Sequence, residues 1–110
     1  MHLVTIKQGD TARKFEDRLM IGGMPVDFGA GEVEFILTNH RTGARITQDA
    51  TILTLPMDDD GTAPNVEYAP IAEDVETCGT YQQTWHVTFE DNAELTFPSD
   101  GYNAVVIEAV

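Results

Sequence analysis

Residues 80–90 read Thr-Tyr-Gln-Gln-Thr-Trp-His-Val-Thr-Phe-Glu, and their alternation decides the fold. Tyr81, Gln83, Trp85, Val87 and Phe89 fall on one side of an extended chain, while Thr80, Gln82, Thr84, His86, Thr88 and Glu90 fall on the other. A period of two sets one face against a core and leaves the other in water, as in an antiparallel sheet. Residues 32–38, Glu-Val-Glu-Phe-Ile-Leu-Thr, repeat the pattern with Val33, Phe35 and Leu37 inward. Further strands are expected over 3–7, 17–21, 45–55, 65–69, 94–97 and 102–109. Helical spacing competes only at 11–21, where Ala12, Phe15 and Leu19 would line one side of a short turn.

Turn chemistry separates these segments. Gly22-Gly23, Phe28-Gly29-Ala30-Gly31, Thr42-Gly43, Asp60-Gly61, Asp91-Asn92 and Pro98-Ser99-Asp100-Gly101 supply positive φ and local side-chain hydrogen bonds. Short strands punctuated at this spacing predict an all-β sandwich or barrel. The chain has 110 residues, room for one domain over 1–110 and one core. No internal repeat, low-complexity tract or linker interrupts it.

Charge is the most informative bulk property. Six Lys and Arg stand against nineteen Asp and Glu, a net charge of −13. Lys7, Arg13, Lys14, Arg18, Arg41 and Arg45 all precede residue 46, and six acids balance them there. Residues 46–110 therefore carry the whole −13 on thirteen acids with no Lys or Arg. Nucleic-acid binding needs cations that displace counterions from phosphate, so neither nucleic acid nor an anionic membrane is an expected partner. The acidic half reads either as a solubilising surface or as a face that docks on a basic partner. No apolar run reaches the ~20 residues that cross a bilayer, and the alternating start does not predict a signal peptide. Cys78 is the single cysteine, which excludes an intrachain disulfide and suits a reducing compartment.

No catalytic, cofactor-binding or metal-ligating residue is assigned. His2 lies at the terminus, His40 ends a strand, and His86 points to the wet face, none at metal-ligand spacing from Cys or a carboxylate. Cys78 precedes Gly79 in a turn without a neighbouring cation to activate it, and Ser99, the single serine, sits in a turn. Asp58-Asp59-Asp60-Gly61 has the look of a calcium loop. With Gly61 at the sixth loop position, however, Pro56 takes the first and Pro64 the ninth, so the EF-hand reading fails and an acidic tip is expected. No glycine-rich phosphate cradle is present.

Taken in order, the features resemble the N-terminal domain of phage baseplate upper proteins. The matching stretches are Lys7 with Gly9-Asp10-Thr11, Gly23-Met24-Pro25-Val26-Asp27-Phe28 and Val33-Glu34-Phe35-Ile36-Leu37. They continue with Gly79-Thr80-Tyr81 running into Trp85-His86-Val87-Thr88-Phe89, then Phe97-Pro98-Ser99, Gly101-Tyr102 and Val105-Val106-Ile107. The resemblance implies an antiparallel immunoglobulin-like β-sandwich of about seven to nine strands. It implies a bacteriophage virion structural protein, without enzymatic activity or cofactor, assembled in the host cytoplasm into the tail, the baseplate or the head. Its partners would be other virion proteins, met in multiple copies through particle symmetry. The alternative is a carbohydrate- or receptor-binding module of the virion, which would need exposed aromatic rings. Trp85 is expected inside, leaving Tyr68 and Tyr102 for that role.

Overall fold

The strongest sequence signal becomes the longest strand. In the computed structural model, which describes residues 3–98 and 101–110, Gly79–Thr88 forms one ten-residue strand. His2, Ser99 and Asp100, and with them half of the expected 98–101 turn, lie outside the described residues. In chain order the strands are β1 (Leu3–Lys7), β2 (Phe15–Asp17), β3 (Met20–Ile21), β4 (Met24–Pro25), β5 (Glu32–Asn39) and β6 (Arg45–Asp49). They continue with β7 (Thr51–Ile52), β8 (Val66–Tyr68), β9 (Gly79–Thr88), β10 (Glu94–Phe97) and β11 (Asn103–Glu108). A single 3-10 turn over Ala72–Val75 is the only helical element among the described residues. The protein is all-β.

The larger sheet runs β1-β11-β9-β5-β6, and β10 also pairs with β9. Register explains its core. Val33 faces Val87, Phe35 faces Trp85, and Leu37 faces Gln83, so inward residues meet inward residues across the β5–β9 ladder. Val105 likewise faces Tyr81 across β11–β9. Phe35, Trp85, Leu37, Val87, Val105 and Ile107 are all buried, as the alternation requires.

A second sheet, β2-β8-β7, lies across this face. The Phe35 ring stacks on Tyr68 of β8 at 4.5 Å between centroids, tilts against Phe15 of β2 at 4.9 Å, and meets Trp85 edge-on at 5.5 Å. Off-centre and edge contacts of this kind are the favoured arrangements of aromatic rings, beyond their burial alone.

Four expectations need correction in detail. The sheet is not wholly antiparallel, because β1 runs parallel to β11 from Leu3↔Ala104 to Lys7↔Glu108. The expected strand at 17–21 breaks after Asp17, since Arg18 turns to meet Asp59 and Leu19 drops into the core. The expected strand at 45–55 divides at Ala50, where the chain passes from the larger sheet to the smaller. The helical alternative at 11–21 does not form. These divisions, with β4, which falls in no expected strand, give eleven strands among the described residues, five of only two or three residues.

Candidate functional site

A groove of about 520 Å³ lies between the edge strands β1 and β2. Val105, Trp85, Gln83 and Asn103 line it, with Arg13 and Lys14 at the β2 side. Gln83 and Asn103 are polar residues that the alternating patterns of β9 and β11 place on the inner face, and both are buried. Asp17 organises them. Its Oδ2 accepts from the Trp85 indole N–H at 3.2 Å and from the Asn103 amide at 3.2 Å, while its Oδ1 accepts from the Arg18 backbone N–H at 2.8 Å. Asn103 also donates to Gln83 Oε1 at 2.9 Å, and Gln83 donates to the Thr84 carbonyl. The carboxylate therefore satisfies donors that burial would otherwise strand.

The acidic loop is equally committed. Arg18 grips Asp59 with two parallel bonds, Nη1 to Oδ1 and Nη2 to Oδ2, each 2.9 Å, and Nη1 also reaches the Ala63 carbonyl. These guanidinium hydrogen bonds, helped by the Gly61 and Ala63 N–H groups, hold Asp59 below the usual carboxylate range, with burial opposing them. The Thr62 hydroxyl and N–H do the same for Asp60. Among the described residues, no three His, Cys, Asp or Glu side chains converge as metal ligands would.

His86, His40, Cys78 and Tyr68 lie apart from the groove. His86 lies on the outer face with Nε2 3.0 Å from Glu94 and Nδ1 3.2 Å from Thr96. His40 meets Tyr102 edge-on at 5.4 Å, and Cys78 is exposed. Tyr68 is buried, its hydroxyl donating to Asp74, which also accepts from the Ile71 N–H at 3.0 Å and from Gln48. Burial first, then the Asp74 hydrogen bond, push the Tyr68 phenol far above its ordinary value.

Sequence reasoning missed the Asp17 network, the Arg18–Asp59 clamp and the Tyr68–Asp74 pair. Each joins residues from separate elements, and only tertiary packing brings them together. A faint signal existed for the first: Gln83 and Asn103 interrupt two otherwise apolar faces. No protein-family model, curated protein or solved structure matches this chain.

Proposed function

We propose that this chain is a structural domain of a bacteriophage virion, in its tail, baseplate or head, and that it acts by holding other virion proteins and not by catalysis. The observation that carries this reading is the joint order of motifs from Lys7-x-Gly9-Asp10-Thr11 to Val105-Val106-Ile107, which resembles the N-terminal domain of baseplate upper proteins over nearly the whole chain. The polar chemistry supports it. Asp17, Arg18, Asp59 and Asp74, groups that could serve a reaction, are instead bonded to one another or to the backbone. The finer architecture belongs to the same proposal: two facing sheets joined through Phe35, read as an immunoglobulin-like sandwich.

The carbohydrate-binding alternative draws less support. Trp85 is 1% exposed and Tyr68 8%, so neither offers a ring face to a sugar, which leaves only the half-buried Tyr102 of the expected rings. Labelling purified particles with antibody against the chain tests the virion reading. Discrete labelling at the tail or head is expected. Particles without label, from cultures in which the protein is present only in the soluble fraction, overturn it.

A further inference from the structure

The two sheets are joined on one side and open on the other. On the joined side β6 passes through Ala50 into β7. On the open side lie β1 and β2, which pair with β11 and β8 alone, and the groove occupies the gap between them. Hydrogen-bond phase shows what the β1 wall of that gap offers. The Gln8 N–H donates to the Glu108 carbonyl at 2.7 Å, and in a parallel ladder alternate residues turn both main-chain groups toward the same neighbour. Val4 and Ile6 therefore bond to β11. The N–H and C=O groups of Leu3 and Thr5 point the other way, along the open edge, and no described residue pairs with them.

Two observations select the occupant. A row of unpaired main-chain donors and acceptors is completed by an extended strand. Charge at the groove is the second. Arg13 and Lys14 line its β2 side; Lys14 lies 3.7 Å from Glu67, whereas Arg13 is exposed and has no acceptor among the described residues. Asp17 does not neutralise Arg13, because its carboxylate already holds the Trp85 and Asn103 donors. Glu16 faces Glu67, the partner of Lys14. Residues 3–15 set Lys7, Arg13 and Lys14 against Asp10 alone, in a chain of net −13, so a cationic edge stands beside the groove. A carboxylate on an incoming strand would give Arg13 its acceptor. Two copies joined edge to edge would instead bring two Arg13 side chains to one opening. We propose that the β1 edge and the groove take up an extended acidic segment of another protein as an added strand. An apolar side chain of that segment turns in over Val4 and Phe15, and a carboxylate two residues along, on the same face, meets Arg13. This inference stands apart from the virion reading, and either can fail without the other.

The probe is a blocked peptide, Thr-Thr-Val-Thr-Glu-Thr-Thr, whose valine and glutamate share one face. Titrated to about 1 mM into the whole, isotopically labelled chain, it should shift the Leu3 and Thr5 amide resonances and slow their hydrogen exchange. Arg13→Ala should keep the wild-type melting temperature, since Arg13 holds no partner, and should weaken binding about tenfold. Glutamine in place of the peptide's glutamate should do the same. Arg45→Ala, on β6 at the far edge of the larger sheet, should bind as wild type does. A peptide N-methylated along the edge that meets β1 should not bind. A wild-type chain that takes up no peptide overturns the proposal. So does binding that survives Arg13→Ala, the glutamine peptide or N-methylation unchanged. A chain that doubles its mass of 12.1 kDa without peptide, with the Leu3 and Thr5 amides protected, also overturns it and gives the edge to a second copy.

Discussion

Asp17 and Trp85, 68 positions apart in the sequence, are joined by a 3.2 Å hydrogen bond from the indole N–H to the carboxylate, beneath the groove between β1 and β2. The bond ties the smaller sheet to the centre of the larger one. It also sets two different costs for breaking the site.

Trp85→Ala removes the largest buried side chain and leaves a cavity, at a cost of about 3–5 kcal/mol. Asp17→Ala keeps the ring but leaves the buried Trp85 indole N–H without its acceptor, at about 1–3 kcal/mol. Urea unfolding followed by Trp85 fluorescence separates the two. Wild-type emission should be blue-shifted and poorly quenched by iodide, and an easily quenched Trp85 would contradict the assignment of the inner face.

The Arg18–Asp59 clamp predicts a pH dependence of stability with a definite sign. Asp59 titrates lower in the folded chain than its ordinary 3.8, so the unfolded chain binds the proton more readily. Its contribution is present above that ordinary value and is lost as pH falls through the depressed one. Arg18→Ala should therefore be less stable than wild type near neutrality, and the gap should close as the solution is acidified below about 4. Thermal melts of both proteins along an acid series check this.

Tyr68 gives the opposite limb. Its phenol titrates above the ordinary 10.0, so its contribution is complete below pH 10 and disappears as the solution becomes more alkaline. Tyr68→Phe should lose about 1–3 kcal/mol at neutral pH, because the buried Asp74 carboxylate forfeits a donor. It should also lose less additional stability above pH 10 than wild type does. A substitution that leaves both limbs unchanged would mean that the Tyr68–Asp74 bond contributes nothing.

Asp58-Asp59-Asp60 should not act as a calcium site. Asp59 is bonded to Arg18 and Asp60 to Thr62, so an ion would have to displace existing partners. Melting temperatures in millimolar calcium and in EDTA should agree closely. A rise of about 10 °C in calcium, beyond a typical single-substitution effect, would contradict this.

Alternation made β5, β9 and β11 legible in the sequence, because a strand with one buried face writes its exposure into every second residue. Short elements left no such trace. β2, β3, β4, β7 and β8 have two or three residues each, too few for a period to emerge. Gly22-Gly23 did carry a hairpin signal, but Leu19, Met20 and Ile21 read more simply as the end of a single strand over 17–21. The Asp17 network was hidden for another reason. A lone Asp in a segment of mixed polarity says nothing about which distant donors will need it, and only the packing of the second sheet on the first reveals them.

The parallel pairing of β1 with β11 has a mechanical consequence. Leu3 begins the first strand and Glu108 ends the last, so the two ends of the chain leave this ladder at opposite extremities. Tension applied through them would slide the strands past one another along their length. All five paired positions, Leu3↔Ala104 to Lys7↔Glu108, would then share the load together. Pulling across the ladder would instead open it one bond at a time, at far lower force. Stretched end to end, the domain is loaded in shear, the direction in which a β-ladder resists rupture most.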